Sequence, residues 1–140
     1  KAPPFGIGMS KLFELYVFAK LKERFPMKGE IEYHKKLNRL EPDYILNTKG
    51  HKMVVDAKYK PRYKENFIGT DDARQVSGYA RMKSIYKELD MEHDQIIDCL
   101  IIYSDQESKR KDFVKDNFDY IPDNNYVKIF KIGIGLPIIQ

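Results

Sequence analysis

Two short apolar runs, Tyr44-Ile45-Leu46 and Met53-Val54-Val55, flank the turn-forming stretch Asn47-Thr48-Lys49-Gly50, and this pattern constrains the chain more than any other. β-branched and aromatic residues on either side of a short polar link containing glycine predict an antiparallel hairpin. Each run is bounded at its outer end by an aspartate: Pro42-Asp43 leads into the first, and Asp56 closes the second. A turn centred on Lys49-Gly50 sets Asp43 directly opposite Asp56. A turn centred one residue earlier sets Asp43 beside Val54, diagonal to Asp56 on the same face. Either register brings two carboxylates together. Side chains alternate along a strand, so Lys58 shares the face of Asp56 while Val55, Ala57 and Tyr59 point the other way.

Like charges side by side in a sheet repel unless something positive binds between them. A hard divalent cation with oxygen ligands answers that need, and magnesium suits a site that offers one or two carboxylates and leaves room for water and phosphate oxygens. The plainer alternative is that Asp43 starts a strand after Pro42 and Asp56 ends one at the solvent. Glu14 bears on the choice. The stretch Lys11 to Phe25, with Ser10 as N-cap and Pro26 and Gly29 beyond it, reads as a first helix whose central turns are apolar almost all round, the pattern of a buried helix. Glu14 shares a face there with Phe18, Leu21 and Phe25. A carboxylate on such a stripe needs a partner or a metal, unless it escapes to solvent or gains from the helix dipole.

A second helix is expected from about Asp72 to Glu88, capped by Thr70 or Asp71. Gln75 and Tyr79 meet on one of its faces, with Met82 and Tyr86 continuing the stripe. That pair could orient a water, a carboxylate or a phosphate, or simply mark a half-buried amphipathic helix. Asp98 to Tyr103 reads as a buried strand, Ser108 to Asn117 as a short polar helix and Tyr126 to Ile134 as an alternating strand. With Ile31 to Tyr33 as a further extended piece, the element order implies an α/β sandwich with a mixed sheet.

The run Lys58-Tyr59-Lys60-Pro61-Arg62-Tyr63-Lys64 leaves the acidic pair carrying cations interleaved with tyrosines. Lysine and arginine beside a metal site suit phosphate oxygens, and tyrosines stack on bases or sugars, although a charge run is often only a solvated loop. Lys60, Arg62, Lys64 and, on the second helix, Arg74 are the candidate nucleic-acid contacts. Twenty-five basic against 21 acidic residues give a formal charge of +4, a mild lean toward a polyanion. One cysteine, Cys99, excludes an internal disulfide and points to a reducing compartment. The longest apolar run is too short to cross a bilayer and no signal peptide is visible, so no membrane role is expected. His34, His51 and His93 lack the companions of a zinc site, and neither a phosphate loop nor a G-x-S-x-G elbow is present. The 140 residues are read as one domain, 1–140, of a longer chain.

Taken in order, Glu14 on a first helix, Pro42-Asp43, Asp56-Ala57-Lys58 and Gln75-x-x-x-Tyr79 resemble the PD-(D/E)xK nuclease superfamily with its downstream QxxxY motif. More narrowly, Leu12-Phe13-Glu14, Leu40-Glu41-Pro42-Asp43, Val54-Val55-Asp56-Ala57-Lys58-Tyr59-Lys60 and Gln75-x-x-x-Tyr79-Ala80 resemble the nuclease domain of McrC-like subunits of McrBC and LlaJI-type restriction systems. The resemblance implies a restriction-endonuclease-like α/β fold, a central mixed sheet flanked by helices, and Mg²⁺-dependent hydrolysis of DNA, with Mn²⁺ as substitute. It implies that Asp43, Asp56 and the Ala57 carbonyl bind metal, with Glu14 as a further ligand or the holder of a metal-bound water. Lys58 would position or activate the attacking water and neutralise the developing charge, and Gln75 and Tyr79 would support the site or contact the DNA backbone. It further implies a cytoplasmic, prokaryotic setting with a McrB-like GTPase motor as partner. Asp56 stands where glutamate is commoner. A catalytically silent nucleic-acid-binding or scaffold module of the same fold, and a nuclease for RNA or branched DNA, are the alternatives.

Overall fold

The computed structural model describes residues 8–33, 41–59, 63, 66–113, 118 and 120–137. Its centre is a six-stranded sheet built from β1 (Ile31–Tyr33), β2 (Tyr44–Asn47), β3 (Lys52–Lys58), β4 (Asp98–Ser104), β5 (Ile121–Pro122) and β6 (Ile129–Ile134), in the order β1-β2-β3-β4-β6-β5. The first three strands pair antiparallel, β3, β4 and β6 run parallel, and β5 closes the edge antiparallel. The sheet is mixed, with helices on both faces, as the element order implies. Tyr44 pairs with Val55 and Ile45 with Val54, which is the hairpin register set by a turn centred on Lys49-Gly50. The Thr48 N–H donates to the His51 carbonyl at 2.8 Å, and the Thr48 hydroxyl accepts from the His51 N–H at 2.9 Å.

Helix α1 (Met9–Arg24) packs one stripe, Phe13, Val17 and Leu21, against Tyr44, Leu46, Val55, Leu100 and Ile132. It begins earlier than Ser10 would cap it, because the Leu12 N–H already donates to the Gly8 carbonyl. Nor is it buried all round: Leu15 and Ala19 face outward, so α1 is a surface helix with one apolar side. The other face of the sheet carries α2 (Thr70–Tyr79) and α3 (Lys83–Leu89), whose Ala73, Val76, Ile85 and Leu89 pack on Ile45, Val54, Cys99 and Ile101.

The sequence reads α2 and α3 as a single helix, and the structure breaks it. Gly78 weakens the last turn of α2, Met82 is extended at ψ 132°, and the chain restarts with the Ile85 and Tyr86 N–H groups donating to the Met82 carbonyl. The reorientation lets both helices bury their apolar residues on one sheet face, and it interrupts the stripe from Tyr79 to Met82 and Tyr86.

Two further expectations change. Residues 108–113 form no helix, since the Arg110 carbonyl is taken by the Gly135 N–H and Phe113 is drawn into the α1-side core; residues 114–117 lie outside the described ones. The last strand starts at Ile129 rather than Tyr126. Asp123 Oδ1 accepts from the Asn125 and Tyr126 N–H groups, making a turn, and Lys128 has φ 64°, which cannot continue a strand.

Candidate functional site

Asp43 and Asp56 lie where β2 begins and β3 nears its carboxyl end, on the α2 face of the sheet. The carboxyl ends of parallel strands are where open α/β sheets bind ligands. Each carboxylate is locked to backbone of the facing strand segment: Asp56 Oδ1 accepts from the Asp43 N–H at 2.9 Å, and Asp43 Oδ2 accepts from the Ala57 N–H at 2.8 Å. Asp43 is 2% exposed and Asp56 0%. Burying two acidic side chains next to one another is costly, and these bonds fix both carboxylates in place.

Lys58 reaches back over this pair. Its Nζ lies 3.6 Å from Asp56 Oδ2, donates to Gln75 Oε1 at 2.5 Å and stands 3.8 Å from Asp72 Oδ1. Strand alternation puts Lys58 on the Asp56 face, and α2, packed on that face, supplies Gln75 and Asp72 one turn apart. The structure therefore brings together Asp43, Asp56, Lys58 and Gln75. Ala57 belongs to the group through its backbone. Tyr79 is buried a turn beyond Gln75, at the end of α2, and Arg74 is exposed on the same helix.

Glu14 is not brought into this group. It hangs from α1 on the opposite side of the sheet, where its carboxylate accepts from the Tyr33 hydroxyl at 2.6 Å and lies 3.4 Å from the Lys11 ammonium. The Tyr44 hydroxyl donates to its backbone carbonyl. Among the described residues no three of His, Cys, Asp and Glu stand close enough to hold a metal ion. The residues that do converge, two carboxylates on adjacent strands, fit a hard cation that keeps water or phosphate oxygens in its shell. They do not fit a closed structural metal site. Lys60, Arg62 and Lys64 lie outside the described residues.

Sequence reasoning missed Asp72 and Lys131, and read Tyr63 as a ring for stacking on bases or sugars rather than as a hydrogen-bond donor to Asp72. The Tyr63 hydroxyl donates to Asp72 Oδ2 at 2.7 Å, and burial together with that carboxylate holds the phenol well above its ordinary pKa. Asp72 stands three residues before Gln75, a spacing that places both on one helix face and could have flagged it. Lys131 could not be found this way, because alternation alone reads a lysine in β6 as solvent-facing. Cys99 is core, and burial pushes its thiol up to about 12. No helix among the described residues is long and apolar enough to cross a membrane.

The family model for the McrBC 5-methylcytosine restriction system component matches residues 1–91. The chain belongs to this family. The matched span holds the hairpin, both aspartates, Lys58 and all of α2 and α3, so every residue of the cluster around Lys58 falls in the part that defines an McrBC component. The strands β4, β5 and β6, which complete the sheet, follow it in the chain. No curated protein and no solved structure matches the chain.

Proposed function

We propose that this McrBC component is the DNA-cleaving domain of its restriction system, a metal-dependent endonuclease that hydrolyses phosphodiester bonds. The observation that carries the reading is the locked pair Asp43 and Asp56 with Lys58 on the same face. Asp43, Asp56 and the Ala57 carbonyl would hold Mg²⁺, or Mn²⁺ in its place. Bound there, the ion would supply Lewis acidity toward a phosphate oxygen and toward water. Lys58 has three N–H donors, of which Gln75 engages one. Its ammonium orients the attacking water and places positive charge where negative charge grows during phosphoryl transfer. Gln75 and Asp72 keep that ammonium from swinging away, and Tyr79, a turn further along α2, would support the site.

Arg74 on α2, with Lys60, Arg62 and Lys64 in the segment after β3, would contact flanking phosphates. The choice of target and the trigger for cutting would come from a McrB-like GTPase motor, so the isolated chain should cut poorly and without selectivity. The burial of both carboxylates, 2% and 0% exposed, favours a second reading, a silent DNA-binding module of the same fold. Incubating supercoiled plasmid, methylated and unmethylated, with the chain in Mg²⁺, Mn²⁺ or EDTA separates the two. Nicked and linear products are expected with either metal and none with EDTA. A folded protein that binds the plasmid and nicks it with neither metal overturns the nuclease reading.

A further inference from the structure

Lys131 is buried, 2% exposed, in the middle of β6. Strand register places Asp56, Ile101 and Lys131 in one row across β3, β4 and β6, with their side chains on the α2 face. Its ammonium lies 5.7 Å from the ring centroids of both Tyr63 and Tyr103, and these two rings meet edge to face at 5.1 Å. Packing alone does not require a cation here, since methionine would fill similar space without the desolvation cost of a buried charge. Among the interactions of that charge is attraction for two aromatic faces, which strengthens away from water.

Tyr63 lies outside every helix and strand, so its ring is located by what packs on it. Its hydroxyl donates to Asp72, and Asp72 flanks Lys58. We propose that Lys131 is a positioning residue for phosphodiester cleavage: it holds Tyr63, and through the Tyr63 hydroxyl Asp72, so that Lys58 stays aimed over the Asp43–Asp56 pair. This rests on the nuclease reading above. Without the Tyr63 donor, Asp72 competes more strongly for Lys58 and draws its ammonium away from Gln75 and Asp56.

Three variants test the relay in the whole chain: Lys131→Met loses the charge and keeps the length, Lys131→Arg keeps a cation over the rings, and Tyr63→Phe removes only the hydroxyl. Single-turnover cleavage of duplex DNA at saturating Mg²⁺ should slow about ten-fold or more in Lys131→Met and Tyr63→Phe, with DNA Kd within about two-fold of wild type. Lys131→Arg should recover most of the rate. The double variant Lys131→Met with Tyr63→Phe should be no slower than the slower single, because both cut one chain of contacts. In protein carrying ¹³Cε-lysine, the Lys58 resonance, identified by its loss in Lys58→Met, should shift in both single variants and return in Lys131→Arg. A wild-type rate in Tyr63→Phe, or additive losses in the double variant, overturns the relay. Should Lys131→Met fail to fold, Tyr63→Phe and Lys131→Arg decide the matter. If wild type cleaves nothing, the nuclease reading fails by itself, and a Lys58 resonance unmoved by Tyr63→Phe overturns the positioning role as well.

Discussion

The two faces of the sheet both take in acidic side chains, and they treat them in opposite ways. On the α1 face, Glu14 accepts a hydrogen bond from Tyr33 and sits beside the exposed Lys11, while Phe18 stacks on Tyr33 and Tyr44 around it. That carboxylate is satisfied by neutral and solvent-facing groups at hand. On the α2 face, Asp43 and Asp56 are fully inside and adjacent, Asp56 bonded to the Asp43 N–H and Asp43 to the Ala57 N–H. A sheet shaped for stability alone would treat all three as it treats Glu14. The difference teaches that the polar cost has been concentrated on one face, where Lys58 and α2 surround it, and that the other face is left to hold the fold.

Cleavage rates should break the symmetry most sharply. Asp56→Asn and Asp43→Asn should each lower plasmid nicking by about 10³-fold or more, whereas Glu14→Gln should cost about ten-fold at most. If Glu14→Gln falls as far as the aspartate variants, the two faces act as one site. Stability should run the other way: Leu21→Ala, in the fully buried stripe of α1, should cost about 2–5 kcal/mol in urea denaturation, and Asp56→Asn much less.

Metal binding sharpens the comparison further. Mn²⁺ at about a hundred times its Kd should stabilise wild type by about 2.7 kcal/mol, read as a rise in melting temperature at fixed ionic strength. Asp43→Asn and Asp56→Asn should respond far less, and Glu14→Gln as wild type does. Equal shifts in all four proteins would remove the cation from the α2 face.

The smallest effect lies away from both sites, at Glu88 on α3. Partial burial, a hydrogen bond to Glu32 and the nearby charge of Glu41 push its carboxyl up to about 7. A folded-state pKa above the unfolded one means that the folded protein binds the extra proton, so this contribution is present at low pH and is lost as pH rises from about 4.5 through about 7. Melting temperature against pH should therefore fall more in wild type than in Glu88→Gln across that window. Parallel profiles would show that Glu88 does not act.

The hairpin was legible because its information is local. Two apolar runs and a turn fix the register, the register fixes Asp43 against Asp56, and alternation adds Lys58. Gln75 was legible from helix spacing and found its place opposite Lys58. What stayed hidden depends on partners distant in sequence. The face of α1 that Glu14 occupies is decided by which side of the sheet the helix covers, and the burial of Lys131 is decided by the pairing of β6 with β4. The break after Tyr79 needed more than the weak signal of Gly78, because it arises when Ile85 and Leu89 seek the same apolar surface as Val76.

The two-residue turn at Lys49-Gly50 carries a consequence for how such a gene can change. Thr48 and His51 close the loop, and the pairing of every residue from Tyr44 to Val55 counts from it. Inserting or deleting one residue there leaves both aspartates in the chain, yet a pairing slipped by one turns Asp43 toward the α1 face while Asp56 stays where it is. Substitutions of Lys49 or Gly50 are cheap by comparison, since both are exposed. The length of this loop, more than its composition, is then what drift cannot touch, and a homologue with both acids intact and a loop of different length would need a bulge to keep them facing one another.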